Sequence, residues 1–297
     1  MKVAVTGASG LLGTALVRSL RVDGHDVLRL VRREPTAPDE VRWDPSGGTV
    51  DTASLHGVEA AIHLAGASLG GRPWTPAYKR LVLESRTSGT TTLSRALAGL
   101  DPRPRALLSA SGVGYYGNPG VEVLDESCAA GDSYIAEIAR EWEAATAPAA
   151  DAGIRVVPMR TAVVVSGSGG ALAPLLLPFR LGLGGRVGSG QQYWSWVALT
   201  DYVRAVRFLL DRDEISGPVN ICAPEPVTNA EFTKALGRAV HRPAVLRVPG
   251  AALRLALRDF AVDLLGGQRV VPRRLLGAGF TFDYPDLDSA LRAELVG

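Results

Sequence analysis

A chain of 297 residues, 46% hydrophobic and 21% charged, is long and apolar enough to bury a sizeable core, which excludes a disordered polypeptide. A formal net charge of +2, with the arginines scattered, argues against a nucleic-acid-binding protein. Cys128 and Cys222 stand far apart, the four histidines are isolated and no uncharged run is long enough to span a bilayer, so we expect no disulfide framework, no metal centre and no membrane segment, but a cytoplasmic protein in a reducing compartment.

Taken in chain order, Val3, Ala4 and Val5 read as a short buried strand that breaks into Gly7, Gly10 and Gly13 before a helix whose Leu11, Leu12, Ala15, Leu16 and Leu20 recur at helical spacing. This arrangement suits a dinucleotide pyrophosphate. Gly7 permits a sharp turn, Gly10 lets the backbone approach the phosphates, and Gly13 lets the helix pack against the strand. The helix N-terminus adds unpaired N–H groups and a partial positive charge. Thr6, Ser9, Leu11 and Leu12 complete the segment expected to line this site. A second strand, Asp26–Val31, ends at Arg32 and Arg33, where NAD-binding versions of the motif carry an acid for the ribose 2′-hydroxyl. A guanidinium there pairs with a 2′-phosphate, so the expected cofactor is NADP(H).

Further apolar runs over residues 60–64, 105–108 and 155–159 are separated by helical stretches over 77–100 and 134–150. The rhythm predicts an α/β fold with a doubly wound parallel sheet that binds ligands at the carboxyl ends of its strands. A Gly-rich segment, 166–190, interrupts it; a helix over 200–210 and a strand over 218–222 rejoin the sheet, and the remainder mixes helices with links at Pro243, Pro249 and Pro272. We therefore expect a dinucleotide-binding domain of residues 1–165 and about 198–225, and a smaller mixed region of about 166–197 and 226–297. A cleft between the two would take a small-molecule substrate.

The Thr6-Gly7-x-x-Gly10-x-x-Gly13 motif, Leu64-Ala65-Gly66, Ser109-x-Ser111 leading to Tyr115-Tyr116-Gly117, and Arg160 together resemble an extended short-chain dehydrogenase/reductase. Arg72-Pro-Trp74-Thr75, Glu84-Ser85-Arg86, Glu141-Trp142-Glu143, Gly188-x-Gly190-Gln191, Ser195-Trp196 and Gly217-Pro218-Val219-Asn220 bring the similarity closer to an atypical branch, the "epimerase family proteins". The resemblance runs over nearly the whole chain. It implies a Rossmann-like NADP(H) domain, with Leu64, Ala65, Gly66, Ser109 and Arg160 lining the cofactor, followed by a smaller C-terminal domain. Ordinary members carry a Tyr with a Lys four residues on, the ammonium lowering the pKa of the phenol. Here Tyr134 is followed at that spacing by Ile138, and Arg140 lies about 240° round the helix.

Ser111, at the end of a central strand, is expected to polarise the substrate oxygen, with Tyr134 as first candidate for proton donor and Tyr116 or water next. Arg72, Trp74 and Arg86 would clamp an anionic substrate, Tyr115 and Tyr116 would cover the nicotinamide or line the pocket, and Gln191, Trp194 and Trp196 would form its wall. Glu137 and Glu141 read as a solvated helix face, and Asp201 as the N-terminal carboxylate of a helix. The leading functional reading is an NADP(H)-dependent oxidoreductase or epimerase acting on a small carbonyl or hydroxyl compound. The missing lysine favours the alternative, a non-catalytic NADP(H)-sensing regulatory protein.

Overall fold

The small and β-branched residues of the apolar runs pair into one eight-stranded sheet in the computed structural model, which describes residues 1–70 and 72–296. The chain begins β1 (Lys2–Thr6), α1 (Leu11–Val22), β2 (Asp26–Val31), β3 (Glu40–Asp44), β4 (Thr49–Val50), β5 (Ala60–His63), α2 (Pro76–Ala98) and β6 (Ala106–Gly112). It continues through β7 (Val123–Leu124), α3 (Tyr134–Ala144), α4 (Ala147–Asp151), β8 (Arg155–Thr161), β9 (Val163–Val165), α5 (Ala173–Arg180), β10 (Gly185–Val187), β11 (Tyr193–Trp194), β12 (Trp196–Ala198) and α6 (Leu199–Leu210). The last part adds β13 (Val219–Ile221), β14 (Val227–Thr228), α7 (Asn229–Ala239), β15 (Leu246–Val248), α8 (Gly250–Leu257), α9 (Phe260–Gly266), β16 (Arg269–Val270), α10 (Arg273–Gly277) and α11 (Leu287–Val296).

The sheet order is β13-β8-β6-β5-β1-β2-β3-β4, parallel throughout except for the antiparallel edge pair β3–β4. From β1 the chain winds outward to β2 and β3, then returns on the other side as β5. The crevice beyond the carboxyl ends of β1 and β5 is therefore the topological switch point, where such sheets bind ligands. The strand β3 escapes a search for apolar runs because Glu40, Arg42 and Asp44 alternate with Val41 and Trp43.

Both faces of the sheet are covered, as a parallel sheet requires. Val3, Val5, Ile62, Leu108 and Met159 pack with Leu16 and Leu20 of α1 and Tyr202 and Val206 of α6. Their alternating neighbours Ala4, Leu28, Leu30, Ala61 and Leu107 pack with Leu93 and Leu97 of α2 and Ala149 of α4. A further core gathers Val165, Phe179, Trp196, Phe232, Leu236 and Leu291. Each buried Val, Leu, Ile, Phe or Met among them stabilises the fold by roughly 1.5–3 kcal/mol. Asp201 lies in the first turn of α6, as expected, and does more: fully buried, its carboxylate accepts the N–H groups of Asp283 and Tyr284, each at 2.9 Å, which pins the C-terminal segment. Among the described residues no helix is long and apolar enough to cross a membrane.

Candidate functional site

At the switch point the main chain leaves little choice of residue. Gly7 has φ +68°, and a Cβ there would stand 2.8 Å from the carbonyl carbon of Leu64 at the end of β5. A Cβ on Gly13 would stand 2.2 Å from the Gly7 oxygen. Gly10 differs, since its nearest obstacle is the Gly7 oxygen at 3.4 Å. It is the exposed N-cap of α1, with no side-chain cap and no acid in the first turn, so the first N–H groups and the positive helix end have no side-chain partner there. An anion fits there. Ser9 is exposed beside it and Leu11 and Leu12 are half-buried; Gly170 of the Gly-rich segment is close enough that a Cβ on it would lie 2.9 Å from Leu11 Cδ2.

Thr6 is a clamp. Its Oγ1 accepts the N–H groups of Leu64 and Ala65, at 3.1 and 3.2 Å. With both lone pairs used, its proton is donated to His63 Nδ1 at 2.7 Å, which leaves the imidazole proton on Nε2. His63 is fully buried, and burial pushes its pKa down to about 4. Thr6 thus joins the ends of β1 and β5, and its hydroxyl is used up in doing so.

The two arginines after β2 part ways. Arg33 forms a fork on the Glu40 carboxylate at 2.6 and 2.8 Å, and with Thr36 it holds the Glu40 pKa down at about 2. Glu34 pairs with Arg42. Arg32 is exposed and makes no ion pair or hydrogen bond among the described residues. Of the pair expected to hold a 2′-phosphate, Arg32 is the free cation and Arg33 is engaged within the protein.

Beyond β6 and β8 the site is made of side chains. Ser111 and Arg160 are register partners on the two strands. Glu143 reaches both from α3: Ser111 Oγ donates to it at 2.7 Å, and Arg160 holds it through Nε at 2.8 Å and Nη2 at 2.9 Å. Arg160 Nη1 also donates to the Tyr116 hydroxyl at 3.1 Å, which donates to Asn220 Oδ1 on β13 at 2.7 Å, while its guanidinium lies 3.4 Å from the Tyr115 ring centroid. Burial works against the charge on Arg160, but Glu143 more than offsets it, and its pKa is raised. Tyr116 is pushed up to about 12, by burial first, and is a poor proton donor at neutral pH. Arg160 is 3% exposed, and three of its five N–H groups are engaged by these partners, so it orders the site.

Tyr134 lies apart from this network. It precedes Glu143 by nine residues, about 180° round the helix at 100° per residue. Its ring meets Trp74 edge-on at 5.8 Å and sits under Lys79 of α2 at 4.7 Å, and its pKa is raised, chiefly by burial. Lys79 caps the ring face and pairs with Asp259, so it does not replace the missing lysine. The sequence reading assigns Trp74 and Trp196 to a pocket, yet they are 2% and 0% exposed, with indole N–H groups on the carbonyls of Leu69 and Glu225. Trp194 packs on Phe232, and Gln191 and Arg72 are exposed. Ser109 is buried, two residues before Ser111 on the same strand, with a hydroxyl that has no partner among the described residues. Leu64 and Ala65 are half-buried beside the exposed Gly66, which lies against Arg86.

Glu143 and Asn220 are the residues that sequence reasoning passes over, although both stand inside motifs that carry the family resemblance. A signal for Glu143 exists: it follows Ala136 and Ala139, both buried, by seven and four residues, so an acid stands on an inward-facing stripe.

Comparison with known proteins follows the same outline. The profile of the NAD dependent epimerase/dehydratase family matches residues 3–222, and that of a domain of unknown function, DUF1731, matches residues 248–294. An epimerase family protein of Mycobacterium tuberculosis is 46% identical over 97% of this chain and 96% of its own length. The crystal structure of human epimerase family protein SDR39U1 with NADPH superimposes with a TM-score of 0.92 at 34% identity, covering 100% of this chain and 99% of that one. A nucleoside-diphosphate sugar epimerase from Corynebacterium glutamicum gives 0.83 at 37% identity, over 99% of this chain and 58% of that one.

Proposed function

This chain belongs to the NAD dependent epimerase/dehydratase family, and on that premise we propose that it is an NADP(H)-dependent oxidoreductase or epimerase-like enzyme acting on a small carbonyl or hydroxyl substrate. Gly10 and the N-terminus of α1 would hold the pyrophosphate and Arg32 the 2′-phosphate, in keeping with the NADPH of the human relative. Bound in the crevice, the nicotinamide supplies hydride chemistry. Residues 166–197 and 226–297 would cover the substrate.

The observation that carries this reading is the Ser111 hydroxyl, fixed at a strand end by a carboxylate that Arg160 holds in turn. With its proton given to Glu143, Ser111 presents lone pairs that accept a hydrogen bond from a substrate hydroxyl; for a carbonyl substrate the hydroxyl turns to donate that proton to the carbonyl oxygen, and either contact orients the substrate. Glu143, paired with Arg160, acts by aiming Ser111, while the proton of the substrate oxygen goes to water on oxidation and comes from water on reduction. NADPH oxidation followed against a panel of aldehydes, ketones and quinones tests the reading. Turnover that falls at least a hundredfold in Ser111→Ala, with NADPH affinity unchanged, is the expected result. Tight NADPH binding without turnover across the panel would instead support a non-catalytic NADP(H) sensor, the reading favoured by Ile138 in the lysine position and by Tyr134 facing α2.

A further inference from the structure

Arg86 lies in the middle of α2, 6% exposed, and forms no ion pair among the described residues. Its contacts include an Nη1 hydrogen bond to the Val82 carbonyl at 3.1 Å and a stacking contact with Trp142, 4.7 Å from guanidinium to ring centroid, and the Tyr78 phenol lies near enough to favour its charge. None of these partners is a carboxylate. Arg160, buried to a similar degree, has the Glu143 carboxylate. A buried guanidinium is costly without a counter-charge, and burial accordingly pulls the Arg86 pKa down to about 10. Beside it, the indole Nε1 of Trp142 is buried with no acceptor among the described residues, so an unsatisfied donor stands next to a cation without a carboxylate.

Their place in the fold points to a ligand. A Cβ on Gly66, just past the carboxyl end of β5, would stand 3.5 Å from the Arg86 guanidinium carbon, so the charge lies against exposed main chain at the crevice. Strands β5 and β6 are neighbours, with His63 opposite Ser109, so Gly66, just past β5, and Ser111, near the end of β6, lie at the same end of adjacent strands. Consecutive residues of α3 bind the two together: Trp142 stacks on Arg86 and Glu143 holds Ser111.

We propose that Arg86 binds a carboxylate on the substrate, which makes the substrate a small oxo or hydroxy acid. This rests on the reading of Ser111 as the group that orients the substrate oxygen. One buried cation balances one negative charge, and the planar guanidinium fork matches a carboxylate.

Titration calorimetry on the NADPH-loaded protein tests this with pyruvate and acetoacetate, their methyl esters, and inorganic phosphate. At least one acid binds, at least tenfold more tightly than its ester and than phosphate. Arg86→Gln lowers acid affinity at least tenfold with NADPH affinity unchanged, and Arg86→Lys keeps part of it. Esters or phosphate binding as well as the acids, no acid binding at all, or full acid affinity in Arg86→Gln would each overturn the proposal. If Arg86→Gln does not fold, the acid-to-ester ratio on the unaltered protein decides. Unaltered protein that binds NADPH but no acid removes this inference alone, whereas acids that bind through Arg86 without turnover remove the enzymatic reading and leave this one.

Discussion

The two sides of the cleft are built from different parts of the polypeptide. Where β1 meets β5, the shape comes from main chain: Gly7 and Gly13 are held within van der Waals limits of Leu64 and of each other, and the side chains of Thr6 and His63 serve to tie the strands. Where β6 meets β8, the shape comes from Ser111, Glu143, Arg160, Tyr116 and Asn220, drawn from three strands, a helix and the turn after β6. A site of the first kind tolerates almost no change of residue at a few positions but asks little of the surroundings. One of the second kind depends on every partner being present, because a buried charge that loses its counter-ion is worse than no charge.

Glu143→Ala should give the largest effect. It strands Arg160, and chemical denaturation should register a loss of about 3–5 kcal/mol. A loss below about 1 kcal/mol would mean that the side-chain network does not carry the stability assigned to it.

The main-chain side has its own ionisation signature. His63 is held neutral, with a pKa of about 4 against an ordinary 6.5, so the unfolded chain takes up a proton before the folded one. The associated stability, about 3 kcal/mol at 1.36 kcal/mol per unit, is present above pH 6.5 and is lost as the pH falls toward 4. Denaturant midpoints measured across that interval should slope downward in the native protein and flatten in His63→Gln.

A smaller effect separates the glycines from one another. Gly13→Ala drives a methyl into the Gly7 carbonyl and should destabilise by about 1–3 kcal/mol, whereas Gly10→Ala meets only a 3.4 Å contact and should leave thermal stability nearly unchanged while weakening NADPH in a fluorescence titration. Equal thermal shifts in the two variants would break the distinction between a glycine that packing demands and one that an anion demands. Smallest of all, Arg32→Ala should weaken NADPH about tenfold, or about 1.4 kcal/mol, without affecting NADH, and Arg33→Ala should do neither.

The same contrast explains what can be read from the sequence. Glycine spacing is dictated by backbone geometry close in the chain, so Gly7, Gly10 and Gly13 declare the switch point from the order of residues alone. Apolar runs locate β2, β5, β6 and β8 to within a few residues, and β3 escapes because its charged residues alternate with Val41 and Trp43. Ser111 is legible from its place at a strand end. Its partner Glu143 is not, because the pairing depends on the angle at which α3 crosses β6. Arg33 looks as available as Arg32 until Glu40, seven residues later and on an unrecognised strand, is seen to claim it. Trp74 and Trp196 follow the same logic: an aromatic residue among glycines and prolines reads as a pocket wall, and only tertiary packing shows that each anchors a carbonyl inside the fold.

The Thr6–His63 contact also gives the protein a built-in reporter. Of the four histidines only His63 is fully buried, and it is locked as a single tautomer at the junction of β1 and β5. Its ring nitrogen resonances should therefore stand apart from the other three in a nitrogen-edited NMR spectrum, and any ligand settling on the adjoining main chain would be visible there without a label or a mutation.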